Sequence, residues 1–310
     1  MAINTLATAT NFQKALDVLA VREAVTGWME ANAGQVKYTG GAEVKIPKMS
    51  VQGLGDYDRD NGYLMGSATL EYETKKMTQD RGRKFQLDSM DVDETNFVTT
   101  ASSVMGEFQR TKVIPEIDAY RLSKIATEAI NANVAGMVQY GYTPGAANTS
   151  ALRKVKEGIA AIRDLGYDGP LVVHATDSFI LELELELANK ISTVNFKKGG
   201  IITKVPAVDE VPIIPTPANR LVTAIKLNDG KTSGQETGGF EKGATAKDIN
   251  FEIMPLKTPV AISKQDKMRI FDPNTNQKAD AWAMDYRRFH DLWILENKVN
   301  SIYVSIKDSE

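Results

Sequence analysis

The stretch from residue 36 to residue 88 sets the strongest limit on what this chain can fold into. Val44, Ile46 and Lys48 alternate with Lys45 and Pro47, and Leu70, Tyr72 and Thr74 alternate with Glu71, Glu73 and Lys75. A period of two is the spacing of a β-strand, whose side chains point to opposite faces in turn. Between the two runs lies QGLGDYDRDNGYLMG, rich in the residue types that turns select. The pattern predicts a long two-stranded excursion closed by a turn-rich tip. Its second arm carries polar groups on both faces and has little apolar area to bury within its own chain. An isolated two-stranded ribbon is marginal in water. Such an arm needs a surface to lie on, and in an assembly that surface belongs to another subunit.

Residues 11–33 read as an amphipathic helix, with Asn11 as N-cap, Phe12, Ala15, Leu16, Leu19 and Val25 near one stripe, and Gly34 as the stop. It suits a domain's first helix better than an arm laid on a neighbour. Asp80-Arg81-Gly82-Arg83 predicts a turn, followed by a short strand at Phe85–Leu87. Residues 91–135 read as helical, with Asp91 and Asp93 at the start, where carboxylates favour the helix dipole. Pro115 is expected to divide this region into a helix ending near Arg110 and a longer one opening at the proline. Leu122, Ile125, Ala126, Ala129 and Ile130 form one face of the second helix.

After the loop GYTPGAANTS, Thr149 or Ser150 caps a helix with Leu152, Val155, Ile159 and Ile162 on one face and Gly166 as terminator. Asp168-Gly169-Pro170 turns into a buried-type strand, Leu171–Val173. Asp177–Leu187 alternates like a strand, but Leu and Glu are strong helix formers, and a helix is expected. Residues 201–227 are short β-type runs broken by Pro206, Pro212, Pro215 and Pro217. Residues 228–246 read as a polar surface loop, and 249–271 and 299–306 as strands. No internal repeat is visible.

At 310 residues the chain is long enough for two compact domains or one elaborated domain. Its 37 basic and 40 acidic side chains leave a formal net charge of −3, without the basic excess of a protein that grips nucleic acid through its phosphates. The absence of cysteine excludes disulfides, Cys-ligated zinc, iron–sulfur clusters and thiol nucleophiles. The N-terminal run MAINTLATATNFQKALDVLAVREAV lacks the positive start and continuous apolar core of a signal peptide. No uncharged apolar stretch approaches the ~18 residues of a membrane span.

Candidate chemistry is sparse. The two histidines, His174 and His290, fall into no HExxH or Ser/His/Asp arrangement. His174 ends a buried-type strand beside Thr176 and Asp177 and reads as a hydrogen-bonded structural histidine rather than a general base. Asp56, Asp58 and Asp60 resemble the opening of a calcium loop, but Asn61 stands where such a loop needs Gly and Ser67 where it needs a bidentate Glu. Gly230-Lys231-Thr232 resembles the end of a phosphate-binding loop, with Ile225 in place of the required earlier Gly. Asp88, Asp91, Asp93 and Glu94 suit a metal site or a helix start, and their position favours the helix start. Arg81, Arg83 and Lys84, with Lys75 and Lys76, form the densest basic patch, without the interleaved aromatics of a single-strand binder. No cofactor and no metal are expected.

KKMTQDRGRKFQLDSMDVDET (75–95) and GEFQRTKVIPEIDAYRLSKIA (106–126) resemble the matching region of tailed-bacteriophage major capsid proteins of the HK97-type fold. ADAWAMDYRRFHDLWILENKVNSIYV (279–304) is similar to their closing strands. The resemblance implies an α+β chain with an N-terminal arm, a long extended β-hairpin loop, a spine helix in a peripheral domain and an axial α/β domain. It divides the chain into an N-terminal arm or helix (1–35), the extended loop (36–88), a peripheral domain (89–139 and 249–310, spine helix 115–135) and an axial domain (140–248). The implied function is a coat protein that self-assembles into an icosahedral head, with no active site. Implied partners are further copies in pentamers and hexamers, a scaffolding protein, a portal, and packaged double-stranded DNA held without sequence specificity; no membrane is involved. Residues expected to touch a neighbouring subunit are Leu54, Tyr57, Tyr63, Leu64 and Met65, with Arg81 and Arg83. The roughly 35 residues before the loop are too few for a fused scaffolding segment, so a separate scaffolding protein or removal of a segment before Met1 is expected. No Lys–Asn cross-link pair can be placed. An encapsulin-like shell shares the fold; a hydrolase or nucleotide-binding enzyme would need His174 or the Gly230–Thr232 loop to serve chemistry.

Overall fold

The computed structural model describes residues 24–38, 41, 43–60, 62–63, 65–88, 104–146, 149–187, 192–198, 201–271, 276 and 280–310. In chain order, a 3-10 helix (Gly27–Gln35) leads to β1 (Lys37–Tyr38), β2 (Glu43–Val51), β3 (Ala68–Lys76), β4 (Gln79–Asp88), α1 (Ile114–Ala132), β5 (Val138–Gln139), α2 (Ala151–Asp164), β6 (Leu171–Ala175) and α3 (Asp177–Glu186). There follow β7 (Ser192–Lys198), β8 (Ile201–Val208), β9 (Val211–Pro215), β10 (Ile225–Leu227), β11 (Phe240–Lys242), β12 (Ile249–Pro255), β13 (Pro259–Phe271), β14 (Ala281–Ile294), α4 (Glu296–Val299) and β15 (Tyr303–Ile306). This is a mixed α+β chain with several sheets.

The central sheet runs β5-β15-β12-β6-β9-β8-β7. Its middle strands are buried on both faces, and the strand period of two deals their side chains alternately into two cores. Val172, Met254 and Val304 point with Val25, Trp28, Met29, Leu122 and Ile125 into the core under α1. Val173, Ile253 and Tyr303 point the other way, onto Val155 and Ile162 of α2 and Phe179 and Leu183 of α3. This explains why Leu171–Ala175 is a continuous apolar-type run rather than an alternating one. A second sheet, β13-β14-β4, is antiparallel throughout. A third, β1-β2-β3, carries the hairpin.

Several expectations hold. The Ser150 hydroxyl caps α2 by accepting from the Arg153 N–H at 3.0 Å, and Gly166 follows that helix with φ +85°. Asp177–Glu186 is helical, with Phe179, Ile180 and Leu183 buried. Three expectations need correction. First, Asp80–Arg83 is not a turn. It lies inside β4, which pairs with β14 from Gln79 to Asp88. A Cβ on Gly82 would stand 2.6 Å from the Tyr286 carbonyl oxygen, so this glycine serves close strand approach rather than a bend.

Second, the two helices expected around Pro115 are one. Helical residues 104–108 pass through a π-helical turn, Gln109–Val113, straight into α1. Proline lacks an N–H and crowds the carbonyl four residues back; a local i→i+5 turn relieves that conflict without breaking the rod. Third, the helix expected over 11–33 lies outside the described residues up to residue 23, and its end is a 3-10 helix with Trp28 and Met29 buried in the chain's own core. The 228–246 segment is largely the loop its sequence predicts; within it only β11 is a strand, paired with β10, and the loop before β11 packs on β4.

Candidate functional site

The hairpin β2–β3 holds nine register pairs, from Glu43↔Lys76 to Val51↔Ala68. Its root is built into the chain: Val44 and Ile46 join Val36, Met77, Val260, Ile262 and Trp293 in a small core. The exit of β3 is pinned by the buried carboxylate of Asp291. It accepts from the Thr78 N–H (2.9 Å) and hydroxyl (3.0 Å), from Tyr120 Oη (2.7 Å) and from Lys124 Nζ (2.6 Å). Burial pushes the Asp291 pKa up, but the Lys124 charge and these donors outweigh it, and the net value falls below the ordinary one.

Beyond Ile46 the ribbon buries almost nothing. Met49, Val51, Leu70 and Tyr72 are exposed along the arms, as are Leu54 (107%), Tyr57, Tyr63 (88%) and Met65 (99%) at the tip. Outside the hairpin, only Leu165, Leu181, Leu185 and Ile202 are comparably exposed among the described residues. Backbone bonds nonetheless tie the two sides of the tip together at Asp58 and Gly62. Asp58 and Gly62 exchange backbone bonds at 3.3 and 2.8 Å, and the Asp60 N–H donates to Asp58 Oδ1 at 2.8 Å. Tyr57 and Tyr63 pack edge to face with centroids 4.9 Å apart. Among the expected contact residues, Leu54, Tyr57, Tyr63 and Met65 thus share one exposed projection; Leu64 lies outside the described residues.

No family model matches this sequence, and no curated protein is similar to it. Solved structures are. The "Asymmetric unit of bacteriophage PhiM1 mature capsid" matches with a TM-score of 0.56 at 12% identity, over 86% of this chain and 82% of that one. The "Capsid structure of the Cyanophage P-SCSP1u" matches with a TM-score of 0.55 at 11% identity, over 87% and 84%. A chain of Mycobacterium phage Cain matches with a TM-score of 0.55 at 9% identity, over 91% and 90%. This chain has the HK97-like capsid fold.

The remaining sequence candidates take structural places within that capsid fold. Arg81 pairs with Glu116 on α1 and donates to the carbonyls of Asn228 (3.0 Å) and Gly239 (3.2 Å), while Arg83 donates twice to the Glu236 carbonyl at 3.2 Å. Both arginines fasten the 228–239 loop to β4 within one chain. Of the other basic residues, Lys75 pairs with Glu73, and Lys76 and Lys84 are exposed.

His174 is fully buried. Trp28 Nε1 donates to its Nε2 at 3.2 Å, which leaves the proton on Nδ1, 3.2 Å from the Thr216 hydroxyl; that hydroxyl donates onward to the Ile214 carbonyl at 3.1 Å. His290 is buried as well. Burial, and then the charges of Arg288, Arg121, Lys124 and Arg81, hold its pKa well below the imidazole range. Asp229 accepts from the N–H groups of Lys231 and Thr232 at 2.8 Å each and from the Thr232 hydroxyl, which lowers its pKa to about 2. The Gly230–Thr232 loop is therefore closed on its own carboxylate and does not present its amides to a phosphate. The Asp58 carboxylate caps its own tip turn. Asp91, Asp93 and Glu94 lie outside the described residues, and Asp88 is the last residue of β4, paired with Ala281. Among the described residues no His, Cys, Asp or Glu group of three or more forms a metal site, and no helix is long and apolar enough to cross a membrane.

Sequence reasoning did not find Met49, Val51, Leu70 and Tyr72 as exposed apolar side chains. The signal was present in the alternation of the arms, whose apolar residues have no second layer to meet. It also missed Asp118 on α1, which accepts from the N–H groups of Val25 (3.1 Å) and Thr26 (3.0 Å) and from Arg220 (3.0 Å). The clue there was a charged pair, Asp118 and Arg121, on the apolar face of a helix.

Proposed function

We propose that this chain is the major capsid protein of a tailed bacteriophage, a structural subunit whose copies close into an icosahedral shell around double-stranded DNA. One observation carries the reading: the large apolar side chains that the monomer exposes are concentrated on a projecting hairpin whose root is rigidly held. Soluble monomers rarely present a contiguous apolar patch of that kind, and such patches mark contact surfaces. A hairpin that reaches from one subunit to the next, repeated by symmetry, gives a closed assembly from one modest contact used many times. The capsid fold supports the same reading. The net charge of −3 suits a container that encloses DNA without gripping it in sequence. A scaffolding protein and a portal are further partners this reading expects in the host cytoplasm, where they would guide assembly and admit DNA, while the shell contacts themselves are made by this chain.

Negative-stain microscopy and light scattering of the purified chain test the proposal. Closed particles of uniform size are expected from the intact protein. Deleting the tip between Gly53 and Gly66 should abolish them while leaving the rest of the chain folded. Particles of normal size and robustness from the deletion variant would overturn the reading. An encapsulin-like shell would also close, but particles isolated from producing cells would then carry an enzyme cargo in place of DNA.

A further inference from the structure

Between β4, β14, the helix around Phe108 and the 228–239 loop lies a cavity of about 480 Å3. Its floor is aromatic: the Phe108 ring meets Phe85 at 4.9 Å and Tyr286 at 5.8 Å, both edge to face. Its rim is cationic, with Arg83, Lys112 and Lys231. None of these three enters the ion pairs formed among the described residues. The carboxylates of the cavity are already engaged: Glu116 by Arg81, Asp80 by Arg287, and Asp229 by its own loop. The cavity is electropositive: five cationic side chains, Arg81, Arg83, Lys112, Lys231 and Arg288, line it against three carboxylates, Asp80, Glu116 and Asp229.

The hairpin tip carries the opposite character. Asp56, Asp58 and Asp60 are exposed there with a single cation, Arg59, among them, beside the Tyr57–Tyr63 pair. An acidic, aromatic projection and an aromatic-floored, cation-rimmed cavity match in charge and in apolar surface, and the exposure of Leu54 and Met65 shows that the tip is not seated in its own chain. We propose that the tip of one copy docks into this cavity on a second copy, with Asp56 and Asp60 facing Lys112 and Lys231. The inference rests on the shell reading and adds the receptor for the hairpin. Because the pairing is electrostatic at its rim, it is screened by salt within a Debye length of about 10 Å at 0.1 M.

Charge exchange tests it. The variants are Lys112→Glu with Lys231→Glu, Asp56→Lys with Asp60→Lys, and the four substitutions together. All four positions are exposed, so each variant should keep the wild-type denaturation midpoint. Each double reversal should raise the protein concentration needed for half-maximal particle formation at low salt by about tenfold or more, and the combination should bring it back to within about threefold of wild type. If both double variants assemble at the wild-type concentration, or the combination is no better than either reversal, the tip docks elsewhere and the shell reading stands. A wild-type chain that forms no particles overturns both.

Discussion

Glu252 sits on β12 opposite His174 of β6 and Val304 of β15, wholly buried, and neither carboxyl oxygen has a hydrogen-bond partner among the described residues. Burial raises its pKa well above the ordinary carboxylate value, so the folded chain holds it as a neutral acid. The unfolded chain ionises it near pH 4.3. Its contribution to stability is therefore complete below that pH and falls by about 1.4 kcal/mol per pH unit as the pH rises toward the folded value. Glu252→Met keeps the volume and removes the titration. It should stabilise the chain at neutral pH by about 1–4 kcal/mol and flatten the pH dependence above the unfolded value, read from denaturant midpoints. A lower midpoint would mean that the carboxyl is satisfied after all. Gly82 makes the opposite case, where the smallest change is costly. Gly82→Ala drives a methyl group against the Tyr286 carbonyl oxygen at 2.6 Å, and a loss of about 1–3 kcal/mol is expected by urea unfolding; an unchanged midpoint would show that β4 and β14 part locally without penalty. Neither residue announced itself in the sequence. A glutamate between Phe251 and Ile253 looks like the outward position of a one-sided strand, and only the second layer of helices, brought in by distant segments, buries it.

The hairpin is aimed by its root. Asp291 ties Thr78, just past β3, to Tyr120 and Lys124 on α1, so this buried carboxylate and the small core around Val44 and Ile46 set the direction of the projection, rather than the ribbon itself. Its lowered pKa means that its contribution is present above the unfolded value near 3.9 and is lost as the pH falls through the folded one. Asp291→Ala strands the Lys124 ammonium and should cost about 3–5 kcal/mol in denaturant unfolding. It should also speed hydrogen exchange at the β3–β4 junction more than in the central sheet; uniform acceleration would make it an ordinary core residue. The elements with their own local signals were legible. The cap at Ser150, the α2 face, the buried β6 and the two arms all follow from propensity and period. The continuous helix through Pro115 was not, because the π turn that admits the proline leaves no mark in side-chain spacing. The strand through Gly82 was misread for a similar reason: Gly in a charged stretch looks like a turn until its partner strand, about 200 residues away, is known.

At the scale of the molecule, the chain divides its apolar side chains into two populations with different purposes. Those in the two cores flanking the central sheet hold the subunit together, and removing one should act on folding: Leu122→Ala, fully buried beneath the sheet, should cost about 2–5 kcal/mol of stability. Those on the hairpin beyond Ile46 contribute nothing comparable to the isolated subunit, because they are already in water. Leu54→Ser with Met65→Ser, at the two most exposed large apolar side chains among the described residues, should leave the unfolding midpoint within about 0.5 kcal/mol of wild type. In a protein that works as a monomer the same change would have no further consequence beyond better solubility. In a shell subunit it removes apolar area from every contact that the hairpin makes, worth about 25 cal/mol per Å2 each time the contact is repeated. Light scattering should therefore show assembly weakened or lost in a variant whose folding is intact. A variant that assembles as well as wild type would show that the exposed apolar side chains of the tip are incidental, and the separation of folding from assembly along this chain would not hold.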